Sequence, residues 1–136
     1  MKTRISLTMT CLISILLSGC SKPDHVTTIK SPVEGMFYTV ETFYGHGAAD
    51  SDFTWVYAHL ERNGTSKKIL VLSGTNMTVS KIVWTAPHEN TICLGGGITD
   101  TFRNEVTLIA GDVSETIRSH LREHCDDVPT TASNGK

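Results

Sequence analysis

One dipeptide does most to restrict the fold. Asn63-Gly64 stands between two segments of strand character. Before it, Phe53, Trp55 and Tyr57 alternate with Thr54, Val56 and Ala58. A period of two puts alternate side chains on opposite faces of a strand, so one face is aromatic and the other smaller. After it, Lys68-Ile69-Leu70-Val71-Leu72 is an aliphatic return segment. Asn-Gly accepts positive φ at both central positions of a two-residue turn, the geometry that matches the twist of an antiparallel pair. The middle of the chain is therefore a β-hairpin, and the rest must extend its sheet or cover it.

The flanking segments extend it. Ser31-Pro32-Val33-Glu34-Gly35 reads as a turn, with proline fixing φ and glycine permitting positive φ. Phe37, Tyr38, Thr39, Val40, Thr42, Phe43 and Tyr44 give residues 36–44 strand composition. Residues 45–52 form a loop. Further strands are expected over 78–84, 91–94 and 102–109, with turns at 73–76 and 87–90 and a break at Gly95-Gly96-Gly97. Near the end Val113, Ile117, Leu121 and Cys125 recur every four residues, with charged residues between. That spacing predicts an amphipathic helix, and Asp112 with Glu115 approximates a capping box. A seventh strand through 115–121 is the competing assignment. The expected fold is mainly β: an antiparallel meander, curled into a roll or folded as a small sandwich, of about six strands with a C-terminal helix.

The N-terminus sets a different constraint. Lys2 and Arg4 precede an uncharged run over residues 5–17. A membrane-spanning helix needs about 20 apolar residues, so this run suits a signal peptide better. Leu17-Ser18-Gly19-Cys20 follows. This resembles the lipobox of bacterial lipoproteins. The resemblance implies lipid on the Cys20 sulfur, palmitate among its acyl chains, and cleavage before that residue. An ordinary cleaved secretory signal is the alternative. Ser21, in place of Asp, implies by the same resemblance the outer rather than the inner membrane of a Gram-negative envelope. The domain organisation is then a signal peptide over 1–19, a lipidated tether over 20–30, one β-rich domain over 31–125 and a disordered tail over 126–136. The body resembles small bacterial β-rich domains through its Ser-Pro-x-x-Gly turn and its aromatic strand after a Gly-Ala-rich loop, and that resemblance implies no activity.

Composition follows from this division. Of four cysteines, Cys11 leaves with the signal peptide and Cys20 takes the lipid. Cys93 and Cys125 remain as a pair in an oxidising compartment, which favours a disulfide over two buried thiols. Loss of Lys2 and Arg4 takes the formal charge from −2 to −4, without the basic patch that nucleic-acid binding requires.

Candidate site residues are few. His46 lies in a glycine-flanked loop with Asp50 and Asp52, the set a periplasmic hydrolase or metal-dependent enzyme would use. His120 and His124 share one face if residues 113–125 are helical, but a zinc site needs further ligands that no motif supplies. Gly95-Gly96-Gly97 leads into neither a P-loop nor a dinucleotide pattern. Phe37, Trp55, Tyr57 and Trp84 form either core or an exposed binding face. No cofactor is called for. The expected function is a non-enzymatic binding or structural role at the envelope, of the immunity or inhibitor type. Its partners would be the bilayer, through Cys20, and an envelope protein.

Overall fold

The computed structural model describes residues 22–127 except Ala48. The expected signal peptide, Cys20 and the tail beyond residue 127 lie outside the described residues. Nine strands follow in order: β1 (His25–Lys30), β2 (Met36–Phe43), β3 (Phe53–Arg62), β4 (Thr65–Thr75), β5 (Val79–Ala86), β6 (Glu89–Leu94), β7 (Ile98–Phe102), β8 (Glu105–Ala110) and β9 (Val113–Glu123). They make a five-stranded sheet, ordered β1-β2-β3-β4-β7, and a four-stranded sheet, ordered β5-β6-β9-β8.

The central hairpin forms as its turn chemistry dictates. Arg62 pairs with Thr65 across Asn63 (φ 48°) and Gly64 (φ 77°). The two sheets share one core, drawn from Tyr38, Val56 and Leu72 of the larger sheet and Ile92, Leu108 and Ile117 of the smaller. Polar contacts stitch the layers together within it. The Asn90 amide donates to the Tyr38 hydroxyl at 3.1 Å, which lies 3.0 Å from Ser119 Oγ. Burial raises the Tyr38 pKa, and the bonds to Ser119 and Asn90 offset part of that effect.

The architecture corrects several expectations. The C-terminal helix over 113–125 is replaced by β9, an eleven-residue strand. A period of four is also two strand repeats, so Val113, Ile117 and Leu121 face the core equally well from a strand. Ser119, polar in the sequence, sits between them on the buried face, where Tyr38 satisfies it. The sheets are also not a pure antiparallel meander. β6 and β9 pair in parallel, Glu89 opposite Arg118 through Leu94 opposite Glu123. Parallel neighbours need a crossover, and here the chain leaves β6, adds β7 to the other sheet, then returns through the β8–β9 hairpin.

Part of the segment expected as a tether over 20–30 belongs to the sheet. Residues 25–30 form β1, paired with β2 from His25–Thr42 to Lys30–Phe37. As an edge strand it is mostly exposed, which explains its polar composition. The segment expected as one strand over 102–109 is divided. Phe102 closes β7, and the chain turns at 103–104, where Arg103 N donates to Val71 O.

Cys93 and Cys125 form a disulfide with Cα atoms 5.8 Å apart. Because residues 113–123 are a strand, the bond does not run from a helix into the core. His124, at φ 56°, turns the chain just past β9. Cys125 then folds over the outer face of the smaller sheet, against Cys93 and Val83.

Candidate functional site

Alternation along β2 and β3 decides what the larger sheet shows to solvent. The inward residues of β3 are the smaller set: Thr54, Val56, Ala58 and Leu60, all buried. Ala58 stands opposite Tyr38, and its small side chain leaves room for that ring. Trp84 of β5 meets Tyr38 edge-on at 5.5 Å and is 7% exposed. The aromatic set of β3 therefore faces outward. Of the four aromatic residues singled out in the sequence, Phe37, Trp55 and Tyr57 lie on this outer face, whereas Trp84 is core.

The outer face is an ordered array. Phe37 stacks on His59 at 4.5 Å, with planes 7° apart. Phe43 lies 4.7 Å from Trp55, which meets Tyr57 edge-on at 6.4 Å. Each such pair contributes about 0.5–1.5 kcal/mol beyond the area it buries. Lys68 Nζ sits 3.8 Å above the Tyr57 ring and 2.6 Å from Glu41 Oε1. The Thr39 hydroxyl lies 2.8 Å from His59 Nε2. Partial burial lowers the His59 pKa, and the Lys68 ammonium lowers it further. Partial burial also raises the Tyr57 pKa, against the opposing pull of Lys68. This face therefore presents stacked rings beside the Glu41–Lys68 ion pair, with Lys30 and Glu61 exposed near its far end.

His59 was not singled out from the sequence. The signal was available, because His59 continues the period of two through Phe53, Trp55 and Tyr57. A titratable residue at the end of an aromatic row reads as a strand terminus until its cross-strand partner, Phe37, is known.

The other candidates are placed apart. His46 and Asp50 are exposed in the loop. Asp52 Oδ1 accepts from Gly45 N at 2.9 Å, and its own amide donates to Asn76 Oδ1 at 3.0 Å, so its carboxylate shapes the loop. It lines a hollow of about 320 Å³ together with His25, Thr42 and Tyr44, without His46 or Asp50. His120 projects from β9 and pairs with Glu89 at 3.2 Å, whereas His124 lies beyond the strand. The shared helix face expected for these two does not exist. Among the described residues no group of three His, Cys, Asp or Glu side chains is placed to hold a metal ion. In the glycine run, Gly96 (φ 117°) and Gly97 (φ 95°) make a tight loop. A Cβ on Gly97 would lie 2.3 Å from Asn76 O.

The outer face of the smaller sheet differs in kind. It carries the Arg118–Glu105 ion pair and a contact between His120 Nε2 and Glu89 Oε1, both at 3.2 Å. Comparison with protein-family models, with curated proteins and with solved structures finds no match.

Proposed function

We propose that this chain is a bacterial envelope lipoprotein, anchored through lipid on Cys20, whose β-rich body binds an envelope protein without catalysing a reaction. The observation that carries the binding role is the uncovered aromatic face of the larger sheet. Neutral rings held in fixed orientations, with Phe37 stacked on His59 and Lys68 over Tyr57, form the kind of surface that serves as an interface core. The Glu41–Lys68 pair beside Tyr57 supplies a polar element for register. The anchor is supported by Leu17-Ser18-Gly19-Cys20 behind a short uncharged run, and the outer membrane by Ser21 after it. A role as an immunity protein or inhibitor belongs to the same class.

The two halves of the proposal are tested separately. Cells fed labelled palmitate should label the wild-type chain and leave Cys20→Ser unlabelled; equal labelling rejects the anchor. For the interface, a photo-crosslinking residue replaces Tyr57, and in a control it replaces Thr116 on the outer face of the smaller sheet. Irradiation of intact cells should give a discrete protein adduct from position 57 and none from position 116. Adducts from both positions, or from neither, reject the aromatic face as the protein interface.

A further inference from the structure

The exposed large apolar residues are unevenly placed. Of the six exposed large apolar residues among those described, Ile109 lies on β8 of the smaller sheet, and the other five are Val26, Tyr44, Phe53, Trp55 and Ile98. The register gathers them at one end of the larger sheet. Phe43 pairs with Phe53, Phe53 with Thr75, and Thr75 with Ile98, forming one cross-strand row on the outer face. In the next row Val26 and Trp55 flank Glu41. Tyr44 follows Phe43 directly. The opposite end of the sheet holds Glu34, Arg62, Asn63 and Gly64, with Arg62 paired to Glu34 at 3.3 Å. One end is apolar and aromatic, and the other polar.

The apolar end is also where the chain joins the sheet. Asp24 N donates to Thr42 O at 2.9 Å, and Asp24 Oδ2 accepts from Tyr44 N at 2.8 Å. The domain therefore holds the chain from Asp24 onward, and Ser21, Lys22 and Pro23 alone separate it from Cys20. Four residues extend at most about 14 Å. Adjacent strands are about 4.8 Å apart, so the row from β1 to β7 is roughly 19 Å wide. A lipid on Cys20 would keep the β1 end of that row within about 14 Å of the membrane surface.

We infer that this end of the larger sheet rests on the bilayer that holds the Cys20 lipid, with Trp55, Phe43, Phe53, Val26 and Ile98 seated among the headgroups. The inference rests on the anchor proposed above. Tryptophan and tyrosine suit that zone because they join an apolar ring to a polar group. The site is not a polybasic one. Asp24, Asp50, Asp52 and Asp100 lie at this end, with Lys22 as the nearby cation. Zwitterionic lipid is therefore the matching surface, and anionic lipid repels it. Docking there leaves Phe37, Tyr57, His59 and Lys68, farther along the same face, for the protein partner.

The two tryptophans allow a direct test. Trp84 is core, so Trp84→Phe leaves Trp55 as the sole emitter. Full-length lipidated protein is reconstituted into phosphatidylcholine vesicles with and without brominated acyl chains, and mass spectrometry verifies lipid on Cys20. Trp55 should lose most of its emission in the brominated vesicles, and phosphatidylglycerol should weaken the loss at low salt. Wild-type protein, with Trp84 as constant background, should show the same loss at smaller amplitude, which guards against misfolding of the variant. Lipidated protein whose Trp55 emission ignores the bromine overturns the docking while leaving the anchor intact. So does a protein adduct captured from a crosslinker at position 55. A chain without lipid on Cys20 overturns both.

Discussion

The two faces of the larger sheet are built from the same strands and are both aromatic, yet they do opposite things. Inside, Tyr38 stands beside Ala58 and meets Trp84 of the opposing sheet edge-on at 5.5 Å, and its neighbours are other core residues. Outside, Trp55, Tyr57 and Phe37 pack against each other and against His59, with solvent beyond. Ring content does not decide which face is core. Shape does: a bulky ring on one strand needs a small residue opposite, and Ala58 supplies it for Tyr38. The aromatic side of β3 has no second layer to receive it, because the smaller sheet covers the other side.

The largest test of this contrast compares the tryptophans. Trp84→Ala should cost about 3–5 kcal/mol, read as a large fall in the urea midpoint. Trp55→Ala should cost roughly 1 kcal/mol or less. Equal losses would mean that Trp55 belongs to the core.

The disulfide extends the comparison to the smaller sheet, where Cys125 covers Cys93 and Val83 on the outer face. Its residues are 32 apart in sequence. Reduction, or Cys93→Ser with Cys125→Ser, should cost about 3–4 kcal/mol by the loop-closure argument. A midpoint that does not move on reduction would show that the unfolded chain gains nothing from its release.

Tyr38→Phe probes the inner face more finely. It keeps the ring and removes the hydroxyl that joins Asn90 and Ser119, and should cost about 1–3 kcal/mol by leaving two buried groups unpaired. The added change Ser119→Ala should then cost little, and a full additional loss would dissolve the proposed linkage.

The smallest effect belongs to the outer face. His59 has a lowered pKa in the folded chain, so below the ordinary histidine value of about 6.5 the unfolded chain binds more protons. Stability should therefore fall as pH drops from about 6.5 through the folded pKa. In His59→Gln that part of the slope should vanish, as measured by thermal midpoints across pH. An unchanged slope would remove His59 as its source.

Much of this fold was legible in the sequence, and the failures have physical causes. Asn63-Gly64 announced its hairpin because few dipeptides accept two positive φ values. The segment ending in Leu121 misled because four is a multiple of two, and only the slot between β6 and β8 chooses the strand. β1 was hidden because an edge strand with little burial has no alternation to display, although Val26, Thr27, Thr28 and Ile29 are β-branched. Cys93 and Cys125 were the available pair, yet the helix offered as their geometry was absent. The aromatic face was visible as a period of two. Its orientation was not, since alternation names two faces without saying which one the second layer will cover.

The position of β9 carries a further consequence. It is the last strand among the described residues, yet it lies inside its sheet, between β6 and β8. A chain synthesised N-terminus first can assemble β1 to β4 early. It cannot close the smaller sheet until the final strand arrives, because β6 has no inner neighbour before then. Cys93 waits for Cys125 over the same interval. The same arrangement leaves β6 as an unpaired edge in any chain cut short before residue 113, the kind of edge that recruits other chains.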